Sequence, residues 1–431
     1  MIVTKSSPVI VKPWTSPATP TVEQINFSSF DKPLAFSPFT SFLVFNHAIR
    51  DPAETVRRAL SRALVDYFPV AGRATTDDDG ELRISCTGDG VCFVSATANF
   101  SLDDVKLFDP PFSELLRELA VEYPDGSCCR QSDPLLLMQV TEFASGGYVV
   151  GTTWNHAIAD GAGLAQFLQA VGDLARGQPR PSVLPVSCGD GSLPELPPLV
   201  TAVEKTMATM EAQAFVYQDL TVPWRLVDRV RSEFAGDEPC TVFEAVVAIL
   251  WRCRTRVVMS GGDPDAPAPL VFAANVRKHV GAKHGYFGNC ATAVVTVPRS
   301  GEVVNGGISD VVRLIKRAKQ GIPEQFSKDA TAGAAAGEEG CAGMQGGGLH
   351  QLDVLFGYNA FYVSSWRNLG FDVADMGGGR PARVMCHVDL TAVPNCVACL
   401  PCTGKDGANV LALLVREEHA DAFVKELEMF V

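Results

Sequence analysis

The chain has 431 residues, 47% of them hydrophobic and 20% charged, enough apolar side chains for one large or two to three ordinary globular cores. Lys plus Arg number 36 against 49 Asp plus Glu, a net charge of −13. An acidic whole argues against nucleic acid or an anionic membrane as the main partner, and still allows a local basic patch for a phosphorylated ligand. Met1 to Pro20 lacks the basic and apolar regions of a secretion signal and reads as an extended lead-in rich in Pro, Ser and Thr. No apolar run approaches the roughly 18 residues needed to cross a bilayer. The 13 cysteines, an odd number without a secretion signal, read as reduced thiols of a cytosolic protein.

Phe39 to Phe45 is strand-like. Asp51-Pro52-Ala-Glu54 predicts a helix start, with an aspartate cap, proline at the first position and glutamate three residues after the cap. Val56, Leu60, Leu64 and Tyr67 give that helix an apolar face. Asp77 to Gly80 predicts a solvated hairpin turn before the Leu82 and Ile84 strand; its consecutive carboxylates lack the alternate spacing of a calcium loop. Leu135 to Phe143 and Tyr148 to Trp154 read as adjacent strands. From Leu164 the period changes, and Leu164, Phe167, Leu168, Val171 and Leu174 fall on one face of a helix.

His156 and Asp160 therefore lie at a strand-to-helix turn, among the small residues Ala157, Ala159, Gly161 and Gly163. A histidine there can take and return a proton near neutrality, its ordinary pKa being about 6.5. No G-x-S-x-G nucleophile elbow accompanies it, so it would activate an external hydroxyl or amine. On the spacing alone a core histidine beside a capping aspartate is the favoured reading, because such pairs are frequent by chance.

Gly177 to Pro198, rich in Pro, Gly and Ser, is the expected boundary between two halves. Beyond it, Pro223 to Phe234 is helical, and Thr241-Val-Phe-Glu244 is a capping box opening a strongly apolar helix. Leu270 to Val276, Ala291 to Val297, Val354 to Val363, Ala382 to Leu390 and Val410 to Val415 read as strands. Ile308 to Gln320 and Glu417 to Phe430 read as helices. Thr331 to Gly348, dense in Gly and Ala, is expected to be mobile. Cys396-x-x-Cys399-x-x-Cys402 lacks a fourth ligand at a recognised spacing, so no metal site is expected.

Asn155-His156-Ala-Ile-Ala-Asp160-Gly161 resembles the HxxxDG signature of the plant BAHD acyltransferases. Tyr67 to Arg73 resembles that family's YPLAGR segment, Asn275-Val-Arg277 its NVR segment, Gly285 to Asn289 its GYFGN segment, and Ser364-Ser365-Trp366 the stretch before its last motif. That last motif, usually Asp-Phe-Gly-Trp-Gly, stands here as Asp375-Met376-Gly377-Gly378-Gly379, without the Phe and the Trp. The resemblance covers essentially the whole chain.

It implies an α/β fold of two chloramphenicol-acetyltransferase-like domains with mixed sheets and flanking helices: residues 1–185 carrying HxxxD, a crossover loop at 186–215, and residues 216–431 carrying the degenerate motif. It implies transfer of an acyl group, hydroxycinnamoyl or benzoyl in many plant members, from acyl-CoA as co-substrate to a small alcohol or amine, by a monomer with no permanent cofactor and no metal. His156 would be the base and Ser364 and Trp366 the oxyanion donors, with Asp375 placed in the same catalytic set through the second motif. Asp160, Gly161 and Arg277 would hold the turn, Asp160 pairing with Arg277. The cations Lys283, Lys316 and Arg317 are candidates for the phosphates of coenzyme A. Two alternatives keep the fold: a non-catalytic member that binds acyl-CoA or a protein, and a condensation enzyme, which would carry a second histidine where Asn155 stands.

Overall fold

A computed structural model describes the chain except residues 16–23, 78, 125, 127, 187–192, 237, 327–349, 388–390 and 431. The expected mobile segment Thr331 to Gly348 lies outside the described residues.

Among the described residues the first half carries nine strands: β1 Val3–Lys5, β2 Val9–Val11, β3 Gln24–Asn26, β4 Pro38–Phe45, β5 Arg73–Thr76, β6 Leu82–Ser85, β7 Val91–Ala98, β8 Leu136–Phe143 and β9 Tyr148–Asn155. Helix α1 spans Pro52–Asp66 and α2 Gly161–Ala175. The second half adds β10 Tyr217–Pro223, β11 Leu270–Asn275, β12 Ala291–Thr296, β13 Phe361–Ser365, β14 Arg383–His387, β15 Asn395–Leu400 and β16 Gly407–Leu413. Its helices are α3 Pro198–Thr209, α4 Trp224–Glu233, α5 Val242–Val258, α6 Ser300–Asn305, α7 Ile308–Gln320 and a C-terminal helix Glu417–Phe430.

Two mixed sheets form the bodies, one ordered β1-β7-β8-β9-β4-β14 with β2 also on β7, the other β10-β16-β15-β13-β11-β12. A small sheet β3-β6-β5 holds the expected hairpin. β9 is buried along its whole length, as its unbroken apolar and β-branched run requires of a central strand. Helices α1 and α2 belong to the first sheet's core, Leu60, Leu64, Phe167 and Leu168 lying buried in one cluster with Val150 and Tyr148. In the second half α5 is almost wholly buried, and its capping box at Thr241 and Glu244 is formed. The first sheet borrows β14 from the second half, and its Arg383, fully buried, reaches Asp219 of β10 and Asp109.

Several details depart from the sequence reading. Asp51 precedes α1 in a left-handed conformation (φ 44°) and its side chain makes no cap bond; Glu54 instead binds Arg57. Residues 1–15 of the lead-in are extended, but β1 and β2 are hydrogen-bonded to β7. The crossover segment contains α3. The strand expected from Val354 begins only at Phe361. Among the longer strands, β7, β10 and β15 are not predicted above: β10 mixes polar and apolar residues without clean alternation, and β15 is buried on both faces, with Cys396 and Cys399 in the second core.

Candidate active site

β9 ends at Asn155, whose side-chain oxygen accepts from the Ala157 N–H at 3.0 Å and starts a single 3-10 turn, His156–Ile158. Asn155, where a condensation enzyme would have its second histidine, is thus a cap. The His156 N–H donates to the Ser37 carbonyl at 2.8 Å. Asp160 then caps α2 by accepting from the Gly163 N–H at 2.9 Å. Strand end, turn and helix start hold His156 between rigid elements.

The imidazole is half-buried beside Phe39 and Trp154, with ring centroids 5.9 and 6.0 Å away. Its Nδ1 lies 3.2 Å from Oδ1 of Asn289. The amide nitrogen of Asn289 donates to the carbonyls of His156 (2.8 Å) and Ala157 (3.1 Å) and to Oδ1 of Asp31 (2.9 Å). Three acceptors on that side put the amide oxygen toward the ring. Nδ1 must then carry the proton, and Nε2 keeps a lone pair. Burial pulls the His156 pKa below its ordinary value, opposed by the charge of Asp160. Burial pushes the Asp31 carboxyl up, opposed by its hydrogen bonds.

Asp160 does not serve the imidazole. Its two oxygens receive Arg277 as a fork, at 2.9 and 2.8 Å, and Oδ2 also accepts from the Cys290 N–H at 3.0 Å. Arg277 continues to the carbonyls of Tyr286 and Gly288 at 3.2 and 2.7 Å. The segment 285–290 is thereby stapled onto the histidine turn. A Cβ on Gly161 would come within 2.9 Å of Leu369.

Trp366 is buried, stacked on Phe371 at 4.6 Å and 5.9 Å from Phe39, which bridges it to His156. Ser364 lies two residues earlier on β13, opposite Val397 of β15. Asp375 departs from the catalytic set. Its Oδ1 accepts from the Gly377 and Gly379 N–H groups at 2.8 and 2.9 Å, and its carbonyl packs against Gly172 of α2 and accepts from the guanidinium of Arg176, the residue after that helix. Gly172 is about 16 Å along the helix from Gly161, at about 1.5 Å per residue. Asp375 ties a glycine loop to the far end of α2. Lys316 also departs from its expected place: its ammonium is held by the buried Glu244 at 3.3 Å and the Pro239 carbonyl at 3.0 Å. Arg317 and Lys283 are exposed. Asp31, Phe39 and the role of Asn289 were not anticipated; Asn289 stood inside a recognised segment, and the other two carried no signal.

The model of the family described as "Transferase family" matches residues 1–430. Acyl transferase 15 of Oryza sativa subsp. japonica is 41% identical, over 99% of this chain and 98% of its own. Myricetin 3-O-glucosyl 1,2-rhamnoside 6'-O-caffeoyltransferase AT1 of Crocosmia x crocosmiiflora is 30% identical, over 99% of both. Among solved structures, vinorine synthase superposes with a TM-score of 0.72 at 20% identity, over 100% of this chain and 98% of that one. TRI101 of F. sporotrichioides, complexed with coenzyme A and T-2, gives 0.67 at 16% identity over 94% and 97%. With the two-sheet fold and the histidine turn, these likenesses establish that the chain belongs to the plant BAHD family of transferases and is an acyl-CoA-dependent acyltransferase.

Proposed function

We propose that the chain moves an aromatic acyl group, hydroxycinnamoyl or benzoyl, from its coenzyme A thioester to a hydroxyl or amine of a plant specialised metabolite, with Nε2 of His156 as general base. The observation that carries this reading is the Asn289 contact, which leaves a lone pair on Nε2 of His156. A caffeoyltransferase and a benzoyltransferase are among the relatives. Nε2 takes the proton of the acceptor as its oxygen or nitrogen attacks the thioester carbon. The carbonyl oxygen becomes an oxyanion, for which the Trp366 indole N–H and the Ser364 hydroxyl are the assigned donors. Collapse expels the thiolate, and the imidazolium returns the proton to sulfur. General-base help of this kind contributes about 10² to 10⁴ in rate. A thioester is already activated, so the scheme calls on neither a covalent intermediate nor a metal. Lys283 and Arg317 are the cations assigned to the phosphates of the donor.

The test is thiol release from a panel of acyl-CoAs with pooled plant alcohols and amines, beside His156→Ala, with the protein's own thiols blanked. Acceptor-dependent release that vanishes in the variant supports the reading. Release that survives it places the base elsewhere. No release, with acyl-CoA still raising the melting temperature, favours a binding-only member.

A further inference from the structure

Two polar side chains reach His156 in series. Asn289 offers its amide oxygen to Nδ1 of His156 and its amide nitrogen to Oδ1 of Asp31. Both are buried, with exposures of 2% and 8%. Asp31 is anchored within its own segment, Oδ2 accepting from the Ser28 N–H at 2.9 Å and the Ser28 hydroxyl at 2.6 Å. Every hydrogen bond to this carboxyl comes from a donor, so it requires the N–H side of Asn289.

That requirement has a chemical consequence. An amide turned by 180° occupies nearly the same volume, so shape alone holds Asn289 weakly in one sense. Turned, it would present its NH₂ to the imidazole. Nδ1 would then have to accept, the proton would move to Nε2, and the base would lose its lone pair. The carbonyls of His156 and Ala157 oppose this, but they belong to the turn that carries the ring. Asp31 is the acceptor from outside it, and a bond to an ionised carboxylate is roughly twice as strong as a neutral one.

We propose that Asp31 is a positioning residue for acyl transfer: by fixing the sense of the Asn289 amide, it confines the His156 proton to Nδ1 and keeps Nε2 available. The kinetic part of this rests on the acyl-transfer reading; the tautomer part does not. The arrangement joins the halves of the chain, since Asp31 and His156 come from the first and Asn289 from the second. The base is set only when the segment 285–290 is docked on the histidine turn.

The experiment uses the full chain with ¹⁵N-labelled histidine, His156 being assigned by the signal missing from His156→Ala. Long-range ¹H–¹⁵N spectra report which ring nitrogen is protonated, whether or not the protein turns over. Wild type is expected to show the Nδ1–H form and Asp31→Ala a mixture of tautomers. In that variant kcat should fall about 10- to 100-fold, part of a general base's contribution, while the KM for acyl-CoA stays within about twofold. In Asp31→Asn the two Ser28 donors claim the amide oxygen and leave an NH₂ facing Asn289, so this variant should lose at least as much of the Nδ1–H form and of the rate as Asp31→Ala. Ser28→Ala removes one donor to Asp31 and gives a milder test should Asp31→Ala not fold; a loss of kcat of about twofold or more at constant KM is expected. The proposal is overturned by an unchanged tautomer in Asp31→Ala or, where that variant does not fold, by unchanged tautomer and kcat in Ser28→Ala. It is also overturned if Asp31→Asn keeps both the wild-type tautomer and the wild-type kcat. A wild type that shows Asp31-dependent tautomers but no acyl transfer would keep the tautomer assignment and remove the proposed function.

Discussion

Gly163 in the first turn of α2 lies directly under the carbonyl of Phe287: a Cβ added there would overlap the Phe287 oxygen and come within 2.7 Å of its carbonyl carbon. Helix α2 and the segment 285–290 meet backbone to backbone at this point. Gly163→Ala must push the two apart, and backbone cannot yield as a flexible side chain would. The expected cost is about 1–3 kcal/mol of stability. A larger fractional loss of turnover should follow, because the same displacement withdraws Asn289 from His156. Chemical denaturation and thiol release, measured together, check this; wild-type values in both would show that the contact is not rigid.

Asp160 and Arg277 form the second tie between these segments. Their side chains are 10% and 18% exposed. Asp160→Asn leaves the Arg277 guanidinium with an uncompensated charge, which costs about 3–5 kcal/mol at a buried pair. The loss should appear first as a lowered denaturation midpoint and only through it as lost activity. A variant with wild-type melting and full turnover would disprove the role of the pair.

How much of this was open to a reader of the sequence depends on the distance between partners. The β9–turn–α2 unit was legible because the period switches within one stretch, from the continuous run Tyr148 to Trp154 to the helical spacing from Leu164. The Asp160–Arg277 pair spans 117 positions and was reached only through the family resemblance. The Asp31–Asn289 contact spans 258 positions, and neither residue type has a pattern that announces such a bond. The contacts of Asp375 and Lys316 could not be read from the sequence for a related reason. A carboxylate in a motif and a lysine in a cluster look the same in sequence whether they face a ligand or, as here, a glycine loop and Glu244.

The pH dependence follows from the burial of His156. Its folded pKa lies below the ordinary value of about 6.5. The base is active when neutral, so the acid limb of kcat/KM should have its midpoint at a pH below 6.5. Stability has the matching sign. Below about 6.5 the unfolded chain takes up this proton before the folded one, so the histidine's contribution turns destabilising as the solution is acidified and vanishes above that value. A rate profile with its limb at or above pH 7 would mean that the imidazolium is stabilised in the site rather than excluded.

Lys316 and Arg317, adjacent in α7, should separate. Lys316 is 12% exposed and faces Glu244, itself 1% exposed. Lys316→Met should cost about 1–3 kcal/mol by weakening the satisfaction of a buried carboxylate that Lys319 still holds. It should leave the KM for acyl-CoA alone. Arg317→Glu should do the reverse, raising that KM with little change in melting. If Arg317→Glu leaves the KM unchanged, this face of α7 has no part in donor binding.

The degenerate second motif has a local compensation. Met376 is fully buried in the first core, where the resembling motif has Phe. At Gly378, where that motif has Trp, the space beside the Cα belongs to His47, whose ring packs edge-on against Phe45 and Tyr148 at 5.7 and 6.2 Å. A Cβ on Gly378 would lie 2.7 Å from Nε2 of His47 and 2.8 Å from Cγ2 of Ile49. Restoring the tryptophan alone should therefore destabilise the chain, by about 1–3 kcal/mol for an overpacked site. Gly378→Trp combined with His47→Ala should be less damaged than the sum of the two changes, with a coupling of about 0.5–3 kcal/mol. Denaturant midpoints of the four proteins of this cycle decide it. Additive effects would mean that His47 and the missing indole do not share a place, and that the loop at Asp375 tolerates glycine for another reason.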